Sequence, residues 1–461
     1  MSIPSRTTAD AALEAERVNP YLVFLFALLS TATLFDGFDA AMLGFAAPEV
    51  RETFGIGLDD WGFVAGATRL GVMASFLFLI SADRLGRRTL MMVTVIGFTV
   101  FNGLTAFTTS TTQFVLCQFF ARLFLTAEYA LAVVMIGEEY PARLRGRAIA
   151  ILTSLATVGV MLMAKVQPHF LLAEGESNAV HASVSAWVAA IQGAFGLDVD
   201  AAGWRSLYLV GAFPLVLILL LRLGMRETRR FEAAREASRQ AAPGGGGLRE
   251  QVGNALTPWS PAYRRQTAVV TLLWNCVYVV TGPSTVYWVI FARETIRLTP
   301  HQVGDIVFWG YAGGVAGHFV AGWLIDAVGR KLTCAGFYVA AAVSICMLFQ
   351  DTSLAGQYVW MILTVFCFAS AMTATHVYAS ELFPTEIRAT GYGWTTNFLG
   401  RVTEVAIPMV IGLLIAPLGG MPAAMAVVAI GPVLGAVLVM RYAPETRGLT
   451  LEQVQEKLQA R

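Results

Sequence analysis

The feature that most limits what this chain can fold into is a succession of about twelve apolar runs, each of the ~20 residues that carry a helix across a bilayer. They lie near 20–47, 61–82, 89–109, 112–137, 147–172, 204–225, 267–292, 303–326, 331–350, 355–380, 390–416 and 421–442. In hydrocarbon a backbone must satisfy its own N–H and C=O groups, so such runs specify helices and an all-α polytopic membrane protein. Composition agrees: 14% of the 461 residues are charged and mean hydropathy is +0.62, whereas soluble domains carry roughly 25% charge. The formal net charge of +1 lacks the basic excess of a nucleic-acid binder. The five cysteines show neither disulfide nor zinc spacing, and no metal or cofactor is expected.

Arg and Lys concentrate in the loops around Arg84–Arg88, Arg143–Arg147, Arg226–Arg265, Arg330–Lys331 and Arg388. That bias places both termini in the cytoplasm. The first nineteen residues are polar and lack a signal-peptide pattern, so the first apolar helix is expected to stay, in the inner (plasma) membrane of a bacterium. Two loops are long. Residues 173–203 make an acidic external insert, and 226–265 a cytoplasmic linker with a charged helix at Glu227–Ala242 and a flexible joint at Gly244–Gly247.

An internal repeat organises the rest. Asp83-Arg84-Leu85-Gly86-Arg87-Arg88 is echoed 243 positions later by Asp326-Ala327-Val328-Gly329-Arg330-Lys331. Glu138, Pro141 and Arg145 are echoed at the same offset by Glu381, Pro384 and Arg388. Two motifs in register specify a duplicated six-helix unit. The expected organisation is a tail at 1–19, bundles at 20–225 and 266–442 joined by 226–265, and a second tail at 443–461.

These motifs resemble those of the major facilitator superfamily. Asp83 to Arg88 is similar to its D-R-x-G-R-R loop, and Glu381 to Arg388 with Pro444-Glu445-Thr446-Arg447-Gly448 resembles motifs of its sugar porters and organic ion transporters. Phe35-Asp36-Gly37-Phe38-Asp39 resembles the first-helix segment of the aromatic acid:proton symporters and the niacin transporter group. Asn397-Phe398-Leu399-Gly400-Arg401 leading to Pro408 resembles the eleventh-helix segment of organic ion transporters. The resemblance implies two six-helix bundles that rock about a central site. It departs at Ala127-Glu128-Tyr129, which is closer to the metabolite:proton symporters.

The repeat sorts the charges. Asp83, Arg84, Gly86, Arg87, Arg88, Glu138 and Arg145, with Asp326, Gly329, Arg330, Lys331, Glu381 and Arg388, recur at the cytoplasmic surface and are expected to form a gate that locks one bundle against the other. The deep charges are not repeated: Asp36 falls on Val279 and Asp39 on Gly282. A carboxylate at bilayer depth costs ~2.5–3.5 kcal/mol on insertion scales, so each marks a functional candidate. Asp36 and Asp39 share a helix face and are the expected proton carriers, with Glu128 and His376 as further members of the path. One of the two aspartates could instead pair permanently with Arg122 or Arg69. Arg122 and Arg401 are expected to hold a substrate carboxylate, because a guanidinium is a planar fork that keeps its charge. Lys165 is a third cation for that site unless it snorkels to the surface, and Glu404 shares the face of Arg401 and could neutralise it.

No Walker A sequence is present, and the chain is not expected to be an enzyme. The reading is a proton-coupled symporter of a small organic anion, an aromatic or heteroaromatic carboxylate, working by alternating access as a monomer in the lipid bilayer. A sugar or organic cation porter of the same fold, and a non-transporting receptor, are the alternatives.

Overall fold

The computed structural model describes residues 19–80, 86–140, 142–172, 178–194, 203–222, 224–225, 227, 256–384, 387–449 and 453. The first six spans are Pro20–Phe54, Leu58–Ile80, Arg87–Thr105, Thr111–Glu139, Ala142–Val166 and Gly203–Arg222. Span 7 is Arg264–Gly282 continued by wide π-helical turns at Pro283–Tyr287 and Phe291–Thr295. Spans 8 to 10 are Pro300–Ala327, Arg330–Gln350 and Leu354–Glu381. Span 11 begins at Arg388–Tyr392, loosens through Gly393–Phe398 and Leu399–Arg401, and resumes at Val402–Ile415. Span 12 comprises Met421–Val428 and Ile430–Tyr442. Among the described residues, eight helices are by themselves long and apolar enough to cross a membrane. We call "outer" the end away from the basic loops.

The helix ends follow local chemistry. Asn19 accepts from the Leu22 N–H at 2.9 Å before Pro20, and Gly55 closes span 1 with φ of 63°. Ser110, Thr299 and Ser353 cap spans 4, 8 and 10 at their outer starts, Thr299 with Gln302 in a reciprocal capping box. Large side chains such as Phe319 and Trp323, 72% and 68% exposed, project outward, as lipid-facing residues must.

Spans 1 to 6 pack on one another, as do spans 7 to 12; spans 2 and 11, and spans 5 and 8, join the two groups. Within the first, spans 1 and 5 touch backbone to backbone. A Cβ on Gly37 would stand 1.8 Å from the Ala156 carbonyl oxygen, and one on Gly159 1.9 Å from that of Leu34. Small residues permit this approach, which carries Asp36 and Asp39 into the bundle interior.

The insert at 173–203 holds a helix, Ala179–Ala194, where a loop was expected. Its acids sit in the flanks; the middle is alanine-rich without Asp, Glu, Lys or Arg, and Asn178 starts the helix by accepting from the His181 N–H at 2.7 Å.

At the inner surface the repeat reappears as geometry. Gly86 and Gly329, with φ of 91° and 118°, precede spans 3 and 9. Glu227 accepts from the N–H groups of Arg87 and Arg88 at 2.9 and 3.2 Å, and Glu445 from those of Arg330 and Lys331 at 3.0 Å each. Each carboxylate meets a helix N-terminus, where negative charge is stabilising. Partial burial opposes the charge on Glu445, but the N–H groups of Lys331, Arg330, Arg447 and Thr446 outweigh it and hold the carboxyl below the ordinary glutamate value. A depressed folded value contributes stability above the unfolded pKa of ~4.3, and that stability is lost as pH falls through the folded value. Glu445→Gln is therefore expected to cost ~0.3–1 kcal/mol at neutral pH. In thermal unfolding of the purified protein, its deficit against wild type should close as the pH falls below ~4.

Arg330 pairs with Glu381 at 3.0 Å and Asp326 at 3.4 Å, and Thr446 donates to Glu381 at 2.5 Å. This network ties spans 8, 9 and 10 to the second bundle's own tail. Such pairs are expected to lock one bundle against the other; those formed here by Arg330 lie within the second bundle, with Asp326, Glu381 and Glu445 converging on the start of span 9. Asp83 and Arg84, the side chains of Glu138, Arg145 and Arg388, and most of the 226–265 linker lie outside the described residues.

Candidate functional site

Halfway along span 2, Arg69 crosses to span 11 and places its guanidinium 3.8 Å from Glu404. Glu404 also accepts from Arg401 at 2.8 Å, one turn away on its own span. The side chains keep 12%, 16% and 21% exposure at mid-span, so none of the three is fully sealed. Arg69 and Arg401 thus share one carboxylate across the two bundles. The set carries one surplus positive charge, which a single anion balances.

Span 11 can present Arg401 because it is broken there. Residues 393–401 leave regular α-geometry, which frees backbone groups, and Asn275 of span 7 satisfies them: its Nδ2 donates to the Leu399 carbonyl at 2.9 Å and its Oδ1 accepts from the Thr403 N–H at 2.8 Å. Discontinuous helices near the midplane are the usual builders of transporter binding sites.

Rings flank the charges. The Arg401 guanidinium lies 5.1 Å from the Tyr278 ring centre, Tyr278 stacks on Trp274 at 5.6 Å, and Trp274 meets His376 edge to face at 4.5 Å. His376 is hydrogen-bonded to the Tyr392 hydroxyl at 2.6 Å and stacked on its ring. Expected here as a proton relay, it is held in a packed aromatic cluster. Of the other rings, Trp309 is 54% exposed, Tyr378 is sealed in the second bundle, and Tyr287 donates to the Pro408 carbonyl at 2.7 Å.

The first bundle's acids occupy a drier place. Asp36 and Asp39 are 6% and 4% exposed, on the face packed against spans 4 and 6. Arg122, Asn102 and the Tyr208 hydroxyl face Asp39, and Arg122 also donates to the Ala40 carbonyl at 3.1 Å. Glu128 is clamped by Arg222 at 2.5 Å, with side chains 1% and 0% exposed, and Arg222 also donates to the Met91 carbonyl at 2.9 Å. Arg222 was absent from the expected set; its signal was an arginine inside the run Leu219-Leu220-Leu221-Arg222-Leu223.

Lys165, an expected substrate cation, is instead bound to Asp305 across the bundle interface at the outer end, with its ammonium 4.6 Å from the Phe308 ring centre. Arg51 pairs with Glu294 at 2.5 Å on the same outer rim, and the Gln167 amide donates to the Pro300 carbonyl at 2.7 Å. Polar contacts between bundles therefore close the outer side. Toward the inner side, Phe76 of span 2 packs on Trp394 and Phe398 of span 11.

The family model "Sugar (and other) transporter" matches residues 57–458. The chain belongs to that family, within the major facilitator superfamily, and is an integral membrane transporter and not an enzyme. The niacin transporter NiaP of Acinetobacter baylyi is 23% identical over 446 residues, 91% of this chain and 93% of its own. The gallate transporter of Pseudomonas putida is 25% identical, covering 87% of each chain. The inward-open structure of the E. coli xylose transporter XylE superposes with a TM-score of 0.73 at 16% identity, covering 95% of this chain and 100% of that one; the likeness is one of fold.

Proposed function

We propose that this protein is a proton-coupled symporter of small organic anions, with an aromatic or heteroaromatic monocarboxylate as its substrate class. The observation that carries the reading is the Arg69–Glu404–Arg401 set, which reaches across both bundles at mid-membrane and leaves one positive charge uncompensated beside Tyr278 and Trp274. A carboxylate supplies the missing charge and takes the bidentate fork, while a ring attached to it stacks on the neighbouring aromatics. A neutral sugar would leave the surplus charge in place, and an organic cation would add to it. Relatives named for niacin, gallate and 4-hydroxybenzoate support the same class.

Asp36 and Asp39 supply proton coupling from the first bundle. Closure of the outer rim through Arg51–Glu294 and Lys165–Asp305 fits one half of an alternating-access cycle. The test is uptake into proteoliposomes of nicotinate, 4-hydroxybenzoate, gallate, xylose and choline, with the lumen alkaline. Accumulation of at least one aromatic carboxylate is expected, and it should vanish when the pH gradient is collapsed. Uptake of xylose or choline alone would replace the substrate class; carboxylate uptake indifferent to pH would remove the coupling.

A further inference from the structure

Both Asp36 oxygens are buried without a hydrogen-bond partner, although two cations lie in the same bundle interior. Among the described residues, five charged groups occupy that interior, Asp36 and Asp39 on span 1, Arg122 and Glu128 on span 4, and Arg222 on span 6, with the Tyr208 hydroxyl of span 6 facing Asp39 and Arg122. Tyr129 of span 4 is the further titratable group facing Asp36, and span 5 meets this part of span 1 through Ala156 and Gly159. On spans 1, 4 and 6 three acids stand against two arginines among the described residues, so with every group ionised these spans hold one unbalanced negative charge; the matching surplus cation is in the Arg69–Glu404–Arg401 set, which Arg122 also faces. A buried carboxylate without a cation or donors takes up a proton instead.

The geometry says which acid that is. Glu128 is hydrogen-bonded to Arg222, and Asp39 has Arg122 beside it. Asp36 has neither. We infer that the Glu128–Arg222 pair is the device that assigns the coupling proton to Asp36, by committing the second arginine of the pocket to Glu128 and leaving Asp36 to be neutralised by a single proton. Arg222 is on this account a positioning residue: it touches neither substrate nor proton and acts through Glu128. The inference rests on the symport reading and sharpens it. One titrating acid in the first bundle and one surplus cation at the substrate set make the cycle one proton with one monocarboxylate, which moves no net charge.

The substrate-independent test is infrared difference spectroscopy of purified protein at neutral pH, reading the C=O stretch of a protonated carboxyl group. Wild type should show the band, and Asp36→Asn should lose it. Glu128→Gln should lose it too, because the released Arg222 then pairs with Asp36 and holds it ionised. Glu128→Gln/Arg222→Gln, which removes the pair without changing net charge, should regain it.

Transport of whichever aromatic carboxylate the uptake screen accepts gives the second readout. An inside-alkaline gradient of about one pH unit supports about tenfold accumulation through a one-proton carrier, and a potassium–valinomycin potential should not alter it. Asp36→Asn and Glu128→Gln should lose accumulation yet keep carboxylate exchange, and the double variant should regain accumulation. A band or accumulation surviving in Asp36→Asn, a double variant no better than Glu128→Gln, or accumulation that follows the potential would overturn the inference. A carrier that exchanges none of the carboxylates would defeat the symport reading while leaving the infrared outcome to judge the proton site.

Discussion

Arg401→Ala is expected to lower carboxylate uptake by roughly 100-fold, since a hydrogen bond to a charged group contributes ~1.5–3 kcal/mol and two are available to a bidentate anion. The loss exceeds that of one contact because of charge balance. Without Arg401, Glu404 keeps Arg69 at 3.8 Å as its ion-pair partner, the set becomes neutral, and an incoming carboxylate meets no surplus cation there. Arg401→Lys keeps the charge but gives up the planar fork and the contact with Tyr278, and should recover part of the rate at a raised KM. Glu404→Gln acts in the opposite sense: it leaves two uncompensated guanidinium groups, and preference should move toward a dicarboxylate such as phthalate. Competition against labelled monocarboxylate uptake measures all three. Unimpaired uptake by Arg401→Ala would remove the charge set from the substrate site.

The spans and the duplicated loops were legible because hydropathy and a constant offset are local or periodic signals. The pairing of the charges was not, because it is set by which helices touch. Glu128 and Arg222 are 94 residues apart, Lys165 and Asp305 140, and nothing in either neighbourhood names its partner. Asp36 and Asp39 could be read as costly, while the division between them needed Arg222 in place. One repeat lies off the common offset: Glu227-Thr228-Arg229 echoes Glu445-Thr446-Arg447, but at 218 positions rather than 243. The insert before span 6 lengthens the first half, so a search at one fixed offset fails beyond it. Glu404 shows a further limit, since it shares its face with Arg401 in the sequence while Arg69, which turns the pair into a set spanning two bundles, comes from span 2.

The same repeat makes the outer closure open to a steric test. Arg51 and Glu294 are 243 positions apart, so this ion pair joins equivalent sites of the two halves. Lys165 is equivalent to Pro408 and Asp305 to Gly62, and the repeat thus maps the salt bridge between spans 5 and 8 onto a contact between spans 11 and 2. There the junction is backbone: a Cβ on Gly62 would stand 2.3 Å from the Pro408 carbonyl oxygen, and one on Gly412 2.4 Å from that of Asp59. A charge pair can separate into water, but two backbones in contact cannot admit a side chain without parting. Gly62→Val is therefore expected to insert and fold with the outer ends apart, and to lose transport by roughly 100-fold or more, since excluding the closed state by ~3 kcal/mol already gives that factor. Cysteines at 165 and 305 should cross-link in the parent and fail to do so when Gly62→Val is added. Gly37→Val is the contrasting case, because its clash with Ala156 lies inside one bundle and is present in every state of the cycle; that variant should lose folded protein rather than closure. Normal cross-linking and transport in Gly62→Val would show that this seam stays shut throughout the cycle and yields locally, leaving the movement to spans 5 and 8.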